Sequence, residues 1–194
     1  MESWPDLIQR AQRCVACRLA EGRHRVVFGA GDPKALLMLV GEAPGQDEDL
    51  SGEPFVGRAG ELLTNILKAV GLNRADVFIT NTVMCRPPKN RPPEPDEQLS
   101  CRPFLEAKMA AVDPKMVVLL GAVATKALLE DPHAAITRLR GSRHLRRGRL
   151  YYPTYHPAAL LRDPEKKRPV WEDFKRIRRD YDRLQAGLEV EPDA

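Results

Sequence analysis

Four short stretches rich in apolar, β-branched and aromatic residues constrain this chain more than anything else in it. They occupy residues 36–40, 76–80, 116–120 and 151–155. Such runs, with little polar alternation, suit strands that are covered on both faces, as parallel strands are. The segments between them carry helical periodicity. Residues 59–70 place Leu62, Leu63, Ile66, Leu67 and Val70 on one face, and residues 122–129 make a short apolar helix. Residues 103–112 predict another, with Pro103 in its first turn. A closing helix over 169–185 spaces Val170, Phe174, Ile177, Tyr181 and Leu184 as a core-facing stripe, with arginines on its other face. The alternation predicts an α/β fold, a three-layer α/β/α sandwich around a mainly parallel four-stranded sheet. Ligands of such sheets bind outside the carboxyl ends of the strands.

The loops at those ends carry unusual sequence. After the first strand come Gly41, Glu42, Ala43, Pro44 and Gly45, then Asp47, Glu48 and Asp49, and then Phe55. Glycine there lets a backbone approach a ligand closely. Neither a phosphate loop nor a dinucleotide fingerprint is present, because the G-K-[ST] ending and the G-x-G-x-x-G spacing are both missing. The second strand runs into Asn81, Thr82, Val83, Met84, Cys85, Arg86 and a proline-rich stretch holding Lys89, Asn90 and Arg91. The fourth runs into His156, whose neighbour Pro157 holds it extended at a strand end.

Cys14 and Cys17 form a C-x-x-C pair, and Cys85 and Cys101 follow far downstream. Four thiolates complete one tetrahedral shell, which suits zinc or an iron–sulfur cluster. The wide split between Cys85 and Cys101 departs from a zinc ribbon. The chain reads as intracellular, which argues against a disulfide framework. At 194 residues it is sized for one domain, expected over 1–185, with 186–194 as a flexible acidic tail. No apolar run is long enough to span a membrane. The net charge of +4 leans toward a polyanionic partner.

Three segments in order, G-E-A-P-G at Gly41, N-T-V-x-C-R-P-P at Asn81 and H-P-A-A-L at His156, together with the four cysteines, resemble the family 4 uracil-DNA glycosylases. The resemblance runs from about Cys14 to Arg162 and into the closing helix. It implies a [4Fe–4S] cluster on Cys14, Cys17, Cys85 and Cys101. It also implies a hydrolytic repair enzyme that acts on uracil in single- or double-stranded DNA of the cytoplasmic nucleoid and leaves an abasic site; the enzyme is expected to be monofunctional, since no lysine is placed for Schiff-base chemistry, and monomeric.

That chemistry assigns roles. Gly41, Ala43 and Gly45 line the substrate loop, Phe55 offers a face to a flipped uracil, and Asn81 reads the base edge. His156 donates to the uracil oxygen on which charge grows. Glu42 is the carboxylate expected near the sugar. In the similar family 1 enzymes a catalytic aspartate falls where this chain has Ala43, so Asn90 is a second candidate to position water. A bulky aromatic of family 1 corresponds to Gly45, leaving Glu48 as a candidate to reject thymine; the alternative for Asp47, Glu48 and Asp49 is that they cap the next helix or hold the loop. DNA contacts are expected from Arg86, Lys89, Arg91 and Arg162, with Leu160 as the apolar wedge. The arginine-rich stretch 138–149 is expected to form a basic hairpin along the phosphates. A binding module without catalysis and an electron carrier are the competing readings; the second leaves Asn81 and His156 unexplained.

Overall fold

The structure, a computed structural model, describes residues 2–193. The chain opens with α1 (Trp4–Gln12) and a short α2 (Leu19–Gly22). It continues through β1 (Ala30–Gly31), β2 (Leu37–Gly41), α3 (Gln46–Ser51), α4 (Arg58–Ala69) and β3 (Phe78–Asn81). Then come α5 (Pro95–Val112), β4 (Met116–Leu120), α6 (Ala122–Leu129), α7 (Ile136–Leu139), β5 (His144–Arg146) and β6 (Arg149–Thr154). The last helices are α8 (Pro157–Arg162) and α9 (Lys167–Gln185).

The sheet order is β1-β3-β2-β4-β6-β5. The four central strands are mutually parallel and are the four apolar runs, whereas β1 and β5 add antiparallel edges. The sheet therefore has six strands, where the apolar runs alone predict four. Neither extra strand is an apolar run: β1 is two residues ending in glycine, and β5 is His144, Leu145 and Arg146. An edge strand needs only one covered face, and charge along it discourages pairing with other chains.

Alternate residues of each central strand serve opposite layers, as the two-residue period of a strand requires. Met38, Val40, Phe78, Val117 and Leu119 pack with α1, α5 and α6 on one face. Leu37, Leu39, Ile79, Val118, Leu120 and Tyr152 pack with α4, α8 and α9 on the other. The expected three layers are present. The helix α5 starts at Pro95, well before residue 103, so Pro103 lies inside it rather than in its first turn. Pro103 and Leu99, whose carbonyl loses its helical partner to the proline, are both on the exposed face. The acidic tail returns to the domain, where the Asp193 carboxylate meets Arg143 and Arg176. No helix is long and apolar enough to cross a membrane among the described residues.

From β2 the chain crosses to β3 on one side, and from β3 it crosses back over β2 to β4 on the other. The connections therefore diverge at the carboxyl end of β2, which is where a crevice opens in this class of sheet.

Candidate active site and cysteine cluster

Gly41 and Asn81 are paired residues at the ends of β2 and β3. A Cβ built on Gly41 would stand 2.4 Å from Asn81 Oδ1 and 2.5 Å from the Phe55 ring. Only glycine fits, and its absence of a side chain leaves the Asn81 amide and the Phe55 ring facing one small space. Asn81 is 2% exposed, and its Oδ1 is a buried acceptor with no hydrogen-bond partner among the described residues. Such an oxygen is costly to bury unless a ligand supplies the donor.

Phe55 takes a left-handed backbone conformation, φ 54°, that a bulky residue holds only when its surroundings impose it. The Arg74 guanidinium donates to the carbonyls of Phe55 and Pro54 at 2.9 and 2.6 Å. A Cβ on Gly60 would sit 1.9 Å from the Phe55 carbonyl oxygen, so the start of α4 closes on the same peptide. Glu48 completes the brace. Its carboxylate accepts from the amides of Gly45, Val56 and Gly57 at 3.1, 2.9 and 2.9 Å. It ties the loop after β2 to the loop that carries Phe55, and its oxygens are thereby engaged with backbone rather than free to screen a base.

His156 caps α8, its Nδ1 accepting from the Ala158 amide at 3.1 Å. This leaves the proton of the neutral ring on Nε2. The ring lies beside Phe55, centroids 5.5 Å apart and planes inclined 30°. Burial pushes its pKa down to about 4, and the nearby Arg162 charge pushes the same way. Burial raises the Glu42 carboxyl above its ordinary value, against the pull of Arg162. Arg162 is exposed and faces both groups electrostatically, which puts it at the mouth of the site. The loop after β2 is anchored through Thr82, whose Oγ1 donates to the Glu42 carbonyl at 2.6 Å.

The other expected residues divide. Arg86 donates to the Asn90 side-chain oxygen at 2.7 Å, so Asn90 stands on the exposed basic loop and braces Arg86. Lys89 is exposed on that loop. Arg91 is not free for phosphate: its guanidinium is bidentate on Glu97, a fully buried carboxylate that also takes Arg18 and the Glu94 amide. Those contacts hold the Glu97 pKa down at about 2, with Arg91 the largest cause.

Leu160 is 1% exposed in the core against α4 and α9, which does not suit a wedge; the exposed leucine of α8 is Leu161, at 40%. The basic hairpin forms as β5 and β6; Arg138 is exposed on α7, but the other arginines of the stretch are engaged within the fold. Arg140 binds Asp173, Arg146 and Arg147 bind Glu130, and Arg149 binds Asp113. Its turn precedes β6 and so sits at the amino end of the parallel strands, away from the crevice.

All four cysteines are free thiols gathered at one place in the layer formed by α1 and α5, Cys85 and Cys101 buried and Cys14 and Cys17 packed against them. Burial pushes Cys101 up to about 11 and raises Cys85, with the other thiols contributing to both. Arg23 donates to Cys85 Sγ at 3.4 Å. Among the described residues no three His, Cys, Asp or Glu side chains are grouped to hold a single metal ion. The residues that sequence reasoning missed are braces: Arg74, Glu97 and Lys108. Lys108 is fully buried and donates to the Phe28 carbonyl and Thr80 Oγ1, one residue before Asn81. Its only sequence signal is phase, since it shares a helical face with Cys101, Leu105 and Val112.

The domain thus defines an α/β/α protein that brings Asn81, Phe55 and His156 together at the switch point of its sheet, with four free thiols beside them. The family model of the uracil-DNA glycosylase superfamily matches residues 28–175. A type-4 uracil-DNA glycosylase of Sulfurisphaera tokodaii is 43% identical over 92% of this chain and 84% of its own length. Another from Thermotoga maritima is 42% identical over 88% and 90%, and one from Archaeoglobus fulgidus is 41% identical over 91% and 92%. The chain belongs to the uracil-DNA glycosylase superfamily, and within it to the type-4 enzymes.

Proposed function

We propose that this chain removes uracil from DNA by turning the nucleotide out of the stack, hydrolysing its N-glycosidic bond and leaving an abasic site. The observation that carries the reading is the buried, unpartnered Asn81 oxygen facing the Phe55 ring. Uracil N3–H supplies the missing donor, and the amide nitrogen of Asn81 donates to O4. Cytosine offers the opposite pattern on that edge and leaves the amide mispaired.

Breaking the bond places negative charge on the departing base and positive charge on the sugar. The neutral His156 ring, its Nδ1 already occupied by Ala158, donates from Nε2 to uracil O2 as charge develops there. A fixed neutral donor reorganises little during the reaction. Glu42 stabilises the cationic sugar or orients the water, on a loop whose backbone Thr82 holds in place. Arg86, Lys89 and Arg162 meet the phosphates, and Leu161 fills the gap left by the extruded base.

Cys14, Cys17, Cys85 and Cys101 would hold a [4Fe–4S] cluster, which supplies cross-linking rather than chemistry, because hydrolysis transfers no electrons. The donor set fits. Four free thiols stand in one layer of the fold, Cys85 and Cys101 buried and Cys14 and Cys17 half-buried, and four cysteine thiolates are the ligand set such a cluster takes. Incubating pure protein with uracil-containing single- and double-stranded oligonucleotides and assaying abasic sites tests the reading. Abasic sites at uracil alone are expected; their absence would leave a binding module or an electron carrier.

A further inference from the structure

Of the segment Arg23, His24, Arg25 only Arg23 has a place in the description so far, on Cys85 Sγ, yet the fold delivers all three residues to the side of the sheet that holds the site. Strand β1 is antiparallel to β3, with Ala30 opposite Ile79. Followed backward from β1, the chain climbs beside β3 toward its carboxyl end: the Phe28 carbonyl accepts from Thr80 Oγ1, and the Val27 amide donates to the Met84 carbonyl. Arg23 then reaches Cys85. Residues 23–25 consequently lie beyond the end of β3 that presents Asn81.

A buried carboxylate holds this segment. Asp49, 1% exposed on α3, accepts the His24 amide at 2.9 Å and the Arg25 amide at 3.4 Å, and its second oxygen meets His24 Nδ1 at 2.6 Å. The adjacent residue Glu48 pins the Phe55 loop, so one short helix braces the pocket with one carboxylate and this basic segment with the next. Asp49 is thus saturated by donors, whereas the His24 side chain is 63% exposed. With Nδ1 turned to Asp49, Nε2 at the far side of the ring is free. The imidazolium form serves two anions together, Nδ1–H to Asp49 and Nε2–H to an incoming oxygen. Arg25 is exposed beside it, its stem against Gly52 at the end of α3.

We propose that His24, oriented by Asp49, and Arg25 form a binding site for a backbone phosphate of the DNA strand on the β1–β3 side of the pocket. Arg86 and Lys89 flank the same crevice from the loop after Cys85 and Arg162 from α8, so the site adds a further anchor to the rim. The inference rests on the glycosylase reading.

The test measures affinity for a uracil-free 20-base-pair duplex across a salt series, by fluorescence anisotropy, on protein first shown to excise uracil. Loss of one phosphate contact lowers the slope of log affinity against log salt by about 0.9. The double substitution His24→Ala with Arg25→Ala is expected to show that change with several-fold weaker binding at low salt, His24→Ala alone to show a smaller drop in slope, and His24→Lys to retain wild-type slope. Lys68→Ala, which removes an exposed charge at the end of α4 on the amino side of the sheet, is the control for net charge and is expected to leave the slope unaltered. An unchanged slope in His24→Ala, or an equal loss in Lys68→Ala, overturns the site. Failure of the wild-type protein to excise uracil instead overturns the functional reading, whatever His24 does.

Discussion

His156 shows how much one residue's surroundings decide. A histidine titrating near its ordinary value of 6.5 would lose and gain its proton across the working range, but burial and Arg162 hold this one near 4. Replacing it by alanine should slow single-turnover cleavage by ~100-fold or more while affinity for uracil-containing DNA changes little. A loss of affinity at an unchanged saturated rate would make it a docking residue. The wild-type rate should show no histidine inflection between pH 6 and 8. The folded state binds fewer protons than the unfolded one between about 4 and 6.5, so this group lowers stability as pH falls through that window. Thermal melts of wild type and His156→Ala across pH 4 to 7 should converge toward the acid end. Asn81→Asp should weaken uracil excision and move preference toward cytosine, because the carboxyl group lacks the amide donor to O4 and accepts from a cytosine amine. Equal uracil excision by both proteins would remove Asn81 from base reading. These residues were legible because each stands in a short motif directly after a strand. Leu160 and Leu161 were not separable, since on a six-residue helix the start alone decides which of two adjacent leucines turns inward.

The helix α5 carries the lesson at the scale of elements. Its first turn holds Glu97, which joins Arg18, one residue after Cys17, to Arg91 in the loop after Cys85, while Cys101 lies one turn further along. The ion pairs clip together every segment that bears a thiol. Arg18 and Arg91 are partly exposed, so solvent screens these pairs, and Glu97→Ala should destabilise measurably but by less than the loss of a partner from a fully buried pair. With its pKa near 2, Glu97 contributes fully above about pH 4.5 and loses its contribution as pH falls toward 2. Chemical denaturation of wild type and Glu97→Ala at pH 7 measures the difference, and equal midpoints would show the clip to be idle. Nothing in the sequence marks this glutamate, because an acidic residue in a first helical turn reads as a solvated group favoured by the helix dipole. The extra edge strands escaped for a related reason: pairing on one side leaves no apolar run to read. The central strands and three layers were legible because burial on both faces writes itself into composition.

At the scale of the whole molecule, the cysteines join parts that chain connectivity keeps far apart. Cys14 and Cys17 follow α1, Cys85 follows β3 and Cys101 lies in α5, so a shared cluster would close two long loops over one face of the sheet. Metal binding of this kind is folding free energy, since the unfolded chain offers no assembled site. Protein purified without oxygen should therefore be brown, with broad visible absorption and about four irons per chain. Colourless protein holding one zinc would reject the cluster. Each of Cys14→Ala, Cys17→Ala, Cys85→Ala and Cys101→Ala should lose iron and thermal stability together, and full iron retention in any of them would take that residue out of the shell. The effect on catalysis should be indirect. Cys85 sits four residues after Asn81, and Arg86 begins the basic loop, so iron loss should loosen the base-reading edge and the phosphate contacts at once. Removing iron by chelation should then lower both affinity and rate, unlike His156→Ala, which spares affinity. An iron-free protein with wild-type affinity and rate would show that the fold holds the site without its cross-link.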